Sequence, residues 1–184
     1  MVRRTSFNKR LIVLLLIFFG LFYAAFFLYS LQAKGKGDVL MTDARRLVPV
    51  KVKKVVATKE IEQIKQIIIE TKDEDLKIFI AGKQHNQGGQ TYYKEAIVLD
   101  MTTYNKVINI LPEEKLITVQ GGATWTDVQE AINPYQLSVK TIQTPNIFTI
   151  GDSMSVNVHG RDLRFGPIIE SIRSFRLMNA EGRS

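Results

Sequence analysis

Gly82-Lys83-Gln84-His85-Asn86-Gln87-Gly88-Gly89-Gln90 is the stretch on which the reading of this chain turns. It follows a short β-branched and aromatic run ending at Ile80, so it reads as a glycine loop at the end of a strand. A second segment of similar character, Thr149-Ile150-Gly151-Asp152-Ser153-Met154-Ser155-Val156-Asn157-Val158-His159-Gly160, lies about sixty residues on, and Gly121-Gly122-Ala123-Thr124-Trp125 sits between the two. A backbone that must approach an anion closely needs residues without a Cβ and unpaired N–H groups aimed at the ligand. Both segments offer that chemistry.

Around these segments the chain reads as a mixture of short strands and helices. Val48–Val56 alternates as a first strand, with Pro49 near its start where a missing N–H is tolerated. Thr58 can cap a helix over Lys59–Lys72 with Ile61, Ile64 and Ile68 on one stripe. Leu76–Ile80, Ala96–Asp100, Val107–Leu111 and Leu116–Gln120 read as strands, Thr126–Ile132 as a short helix closed by Asn133-Pro134, and Ile172–Met178 as a last strand. The fold class expected is α+β.

The beginning of the chain is different. Leu11–Leu31 carries no charge and is long enough to cross a hydrocarbon layer of about 30 Å at about 1.5 Å per residue. It exceeds the apolar stretch of a cleaved signal, and Leu31-Gln32-Ala33 lacks the small residue a cleavage site needs. The expectation is therefore a basic tail over 1–10, a single membrane span over 11–31, a polar linker over 32–47 and a folded domain over 48–184. Arg3, Arg4, Lys9 and Arg10 place the N-terminus inside and the domain outside the cytoplasm.

Charge follows the same division. Residues 1–58 hold eleven Lys/Arg against two Asp/Glu, while 59–184 hold fourteen against sixteen, giving nets of +9 and −2. Basicity beside the membrane and a slightly acidic domain argue against nucleic acid as a partner. With no cysteine and two distant histidines, disulfide, thiol and zinc chemistry are not expected.

The order of motifs resembles the FAD-binding domain of the vanillyl-alcohol oxidase family, the PCMH-type flavoproteins. The likeness rests on the two glycine segments together with Val98-Leu99-Asp100-Met101-Thr102, Ile117–Trp125, Phe165-Gly166-Pro167 and Ser174–Gly182. It implies two α+β lobes, the second incomplete because relatives continue past the turn at Ala180-Glu181-Gly182 into a substrate domain. It also implies FAD as cofactor, a small-molecule alcohol, lactone or amine as substrate, and oxidation by hydride transfer. Residues matching cofactor positions are Gly82, Lys83, Gln84, His85, Asn86 and Gln90 in the first segment and Thr149, Gly151, Asp152, Ser155 and His159 in the second. His85 stands where several relatives bond the flavin covalently. Asp152 replaces a glycine of the family, which predicts weakened FAD binding through its charge and, at positive φ, through its Cβ. The resemblance assigns no catalytic base. The rival expectation is a non-catalytic, membrane-anchored relic that no longer binds FAD.

Overall fold

The computed structural model describes residues 9–32, 39–46, 48–89 and 91–184. They fall into two compact units that divide between Asp38 and Val39. The first holds one helix, α1, Lys9–Gln32. Its stretch Leu11–Tyr29, 19 residues with a mean hydropathy of 2.9, is long and apolar enough to cross a membrane. The apolar side chains of Leu11–Tyr29 run round the whole circumference and are exposed in this structure.

The second unit begins with β1, Val39–Met41, inside the span expected to be linker. β1 pairs antiparallel with β2, Val50–Val52. The first strand expected over 48–56 is in fact two, because the chain bends at Lys53 and continues as β3, Lys54–Ala57. The bend lets one segment serve two sheets. β2 faces β1, whereas β3 joins a parallel sheet of order β3-β5-β4 with β4, Ile78–Ala81, and β5, Ile97–Asp100.

The helix α2, Ile61–Asp73, crosses from β3 to β4. It starts later than the expected Thr58 cap, because Gln63 Oε1 reaches back to accept the N–H groups of Lys59 and Glu60. Thr58 is instead 1% exposed, with its carbonyl accepting from the Thr103 hydroxyl at 2.7 Å. Ile64 is the buried member of the apolar stripe, flanked by half-buried Ile61 and Ile68. β5 enters between the outer strands and is buried on both faces, which accounts for its unbroken Ile97-Val98-Leu99 run. Met41, Val52, Phe79, Ala81, Ala96 and Val98 form the first core, with Tyr92 packed against it.

Beyond a 3-10 turn at Met101–Thr103, β6, Val107–Leu111, and β7, Leu116–Val119, form an antiparallel pair. α3, Trp125–Ile132, follows. Gly122 separates β7 from α3 for a packing reason: a Cβ there would collide with the Met101 carbonyl, and its N–H donates to Tyr104 O at 2.8 Å. Ala123, Trp125, Val128, Ile150 and Ile168 make the second core. Two cores in one unit agree with a two-lobed domain.

Two expectations need correction. The second glycine segment is no open loop, since Ile150–Ser155 forms a short helix, α4, capped by the Thr149 hydroxyl. Ile172–Met178 forms no strand. Phe175 and Leu177 are 64% and 72% exposed there, and among the described residues no neighbouring strand offers the ladder bonds an extended segment needs.

Candidate functional site

The first glycine segment leaves the carboxyl end of β4, where parallel sheets expose their loops. Gln84 adopts a left-handed conformation (φ 54°), turning successive main-chain N–H groups to one side of the chain. The N–H groups of Gln84, His85 and Asn86 donate to no acceptor among the described residues. The loop thus presents a small set of free donors in a concave turn.

The second segment is built by two interlocked helix starts. Thr124 and Thr149, the caps of α3 and α4, form an antiparallel bridge. The exposed N–H groups of each helix are then taken by the other's approach strand. Trp125 N and Thr126 N donate to Phe148 O and Asn146 O, while Ile150 N and Gly151 N donate to Ala123 O and Gly121 O, both at 2.8 Å. Gly151 suits this close packing, because a Cβ there would lie 3.0 Å from Gly121 O and the neighbour would have to give by a few tenths of an ångström. Trp125 Nε1 completes the lock by donating to Ser153 Oγ at 3.0 Å.

Across this junction the two segments touch. Lys83 N donates to Asp152 Oδ2 at 3.2 Å, a contact spanning 69 positions of sequence. The carboxylate occupies the room that Gly82 leaves, so a Cβ on Gly82 would overlap it and would also lie 2.6 Å from Thr149 Oγ1. The His85 ring meets Phe148 edge-on at 5.0 Å between centroids, with Nδ1 3.4 Å from Lys83 O. Asp152 lies within α4 and its φ is not positive, so the backbone strain considered for that position does not arise. Only its charge remains.

Of the expected cofactor residues, Gly82, Lys83, His85, Thr149 and Asp152 therefore converge, with Gly151 beside them. Thr149 is 1% exposed and its hydroxyl accepts the Asp152 N–H. Gln84 is half-buried on the same loop, and Asn86 turns the opposite way, its Oδ1 accepting from the Tyr92 hydroxyl at 3.1 Å. Ser155 is exposed and donates to Asp152 O at 2.7 Å. His159 stands apart, exposed, with Nδ1 3.0 Å from Gly160 O. It lines an open cleft of about 450 Å³ with Gln143, Thr144, Asn157 and Arg161. Gln143, Thr144 and Arg161 lie outside the segments quoted from the sequence, and Asn157 lies inside the second with no role assigned to it. Gln90 lies outside the described residues. Among the described residues no cluster of His, Cys, Asp or Glu could hold a metal.

A family model described as FAD binding domain matches residues 52–184. The chain belongs to the FAD binding domain family. Relatives include L-gulonolactone oxidase of Mus musculus, 18% identical over 65% of this chain and 27% of its own length. L-galactono-1,4-lactone dehydrogenase, mitochondrial, of Arabidopsis thaliana is 25% identical over 62% of this chain and 19% of its own. The chain thus spans about a quarter or less of the curated relatives it matches. Among solved structures, a variant of Phl p 4, a glucose dehydrogenase, matches with a TM-score of 0.66 at 18% identity, over 77% of this chain and 30% of the other. A mutant of cholesterol oxidase from Brevibacterium sterolicum matches at a TM-score of 0.56 and 18% identity, over 67% and 24%. These structures share the fold, and FAD is the cofactor of the family.

The residues present fit such a group at the junction. The loop already receives an anion there, the Asp152 carboxylate, on a main-chain donor and in a space without a Cβ.

Proposed function

We propose that this chain is the FAD-binding portion of a membrane-anchored flavin-dependent oxidoreductase acting on an alcohol, lactone or amine. The observation that carries the reading is the Asp152–Lys83 contact, an anion held on the glycine loop where the two segments meet. A pyrophosphate has the same need for main-chain donors and for close approach. Bound FAD would supply the hydride acceptor for the substrate's C–H bond. The chain's own residues would hold it: Gly82, Lys83, Gln84, Asn86 and Gln90 through the first loop, and Thr149, Gly151, Ser155 and His159 from the second segment. The Asp152 carboxylate must withdraw from Lys83 N–H for the pyrophosphate to take its place. His85, exposed beside Phe148, would carry a covalent link to the flavin's 8α-methyl group, a methyl C–H proton being lost and the electron pair passing to the flavin ring. The proton acceptor for the substrate is assigned to no residue of this chain and belongs to a further substrate domain. α1 would anchor the protein as a single span, with the domain outside the cytoplasm.

A second reading has one specific observation in its favour. A carboxylate filling the anion position is also what a relic that had lost FAD would show. The absorbance spectrum of the full chain purified in detergent separates the two, since the first requires a flavin band and the second its absence after incubation with FAD. With His85 as the attachment point, acid-precipitated protein keeps its colour and His85→Ala releases it. Colour lost to the supernatant from the unaltered chain would leave noncovalent binding.

A further inference from the structure

The far half of the glycine loop is held by residues that precede the family domain. The family match begins at Val52, yet the turn after β1, Thr42–Arg46, is bonded to the loop directly at Asn86 and Gln87 and indirectly through Tyr92. Ala44 N donates to Asn86 O at 3.1 Å. Arg45 donates from its guanidinium to Gln87 Oε1 at 3.1 Å. The Tyr92 hydroxyl lies between Thr42 O, at 3.0 Å, and Asn86 Oδ1, at 3.1 Å, and its ring packs 5.2 Å from Phe79 in the first core. A Cβ on Gly89 (φ 62°) would lie 3.8 to 4.0 Å from Val48, Asp43 and Tyr92, and Asp43 is 3% exposed. Asn86 Nδ2 is buried without a partner among the described residues, so the Tyr92 bond is the contact that fixes this amide's orientation.

We propose that Thr42–Arg46 and Tyr92 form a clasp that positions the Asn86–Gly89 half of the glycine loop, so that cofactor retention depends on the segment following the membrane-length helix as well as on the FAD domain itself. The second half of this statement rests on the reading of the loop as the FAD loop. The clasp touches no substrate. It acts by holding the loop in its donor-presenting shape, which lowers the ordering cost of binding. Burial pushes the Tyr92 phenol above its ordinary pKa, opposed by the Asn86 contact and reinforced by the charge of Asp43. The hydroxyl therefore remains a donor across the physiological range.

Two readouts on the full chain in detergent micelles test it. Tyr92→Phe keeps the ring and deletes the hydroxyl that lies between Thr42 O and the Asn86 amide, and Arg45→Met removes an exposed arm that no core depends on. Hydrogen exchange of the peptide covering 42–46, whose Ala44 N–H is bonded to Asn86 O, should quicken about tenfold in Tyr92→Phe and about two- to threefold in Arg45→Met, with α3 amides unchanged. Titration with FAD should show affinity weakened by similar factors. Unchanged exchange at 42–46 in both variants overturns the clasp. Faster exchange with unchanged FAD affinity overturns its role in cofactor retention. If the unaltered chain binds no FAD, the functional reading has failed, and the exchange measurement still decides whether the clasp exists.

Discussion

The same four-residue signal occurs twice in this chain with different outcomes. Thr124-Trp125-Thr126-Asp127 starts α3 and Thr149-Ile150-Gly151-Asp152 starts α4, and the two caps are bridged to each other. In α3 the acid closes a reciprocal box, with Asp127 Oδ2 accepting from Thr124 N at 2.7 Å and from its hydroxyl at 2.8 Å. In α4 the threonine hydroxyl still accepts the Asp152 N–H, but the carboxylate turns away to the other segment and takes Lys83 N–H. What differs is the space beside it: Gly82 leaves a hollow at the end of β4 that the Asp152 carboxylate fills, with the Lys83 N–H next to it. An acid three residues into a helix is therefore a local cap only when nothing nearby competes for it.

The contrast can be broken by removing each acid in turn. Asp127→Ala should cost about 2 kcal/mol of stability in urea unfolding, because it deletes two bonds at a half-buried helix start, whereas Asp152→Ala should stay within about 0.5 kcal/mol. Equal costs would show that both acids are ordinary caps. Asp152→Gly should instead be read in ligand affinity: freeing Lys83 N–H and removing a negative charge should tighten FAD about tenfold, equivalent to about 1.4 kcal/mol. An unchanged or weaker Kd would place the cofactor elsewhere.

Ionic strength sharpens the same comparison. As Asp152 carries charge without backbone strain, the affinity gap between the unaltered chain and Asp152→Gly should shrink by about a factor of two to three between 0.05 and 0.5 M salt, on order-of-magnitude screening grounds. A gap independent of salt would point to shape. The smallest effect concerns pH. A phenol whose folded pKa is raised contributes stability that is complete below its unfolded value of 10.0 and disappears as pH rises through the folded value. The ultraviolet difference spectrum between the unaltered chain and Tyr92→Phe should therefore show one phenol titrating above 10, and titration below it would contradict the buried hydroxyl.

Much of the lobe architecture was legible because it rests on local pattern. β5 declared itself by an unbroken apolar run, β6 and β7 by alternation around Pro112–Lys115, and α3 by the Asn133-Pro134 stop that closes it, whereas its Thr124 cap was not read. The bend at Lys53 was not legible, since alternation is the same whether a segment pairs with one sheet or two. β1 was hidden in a polar neighbourhood where three residues carry little periodicity. Ile172–Met178 reads as a strand in isolation, but a strand is defined by its partner. At the site, the convergence of Gly82 and Lys83 with Asp152 was implied by motif order. That Gly151 and Gly122 answer to packing against Gly121 and Met101 could come only from coordinates.

The lock between Trp125 and Ser153 has an optical consequence. The chain contains one tryptophan, 4% exposed, and its indole N–H is tied to the residue next to Asp152. Its emission is a single-probe record of the junction between α3 and α4, where the ring is packed in the second core. If the carboxylate leaves Lys83 by a turn of the helix, the indole loses its bond and the spectrum shifts; if the side chain alone rotates, the spectrum stays still. The protein thus carries its own reporter of how the loop is vacated.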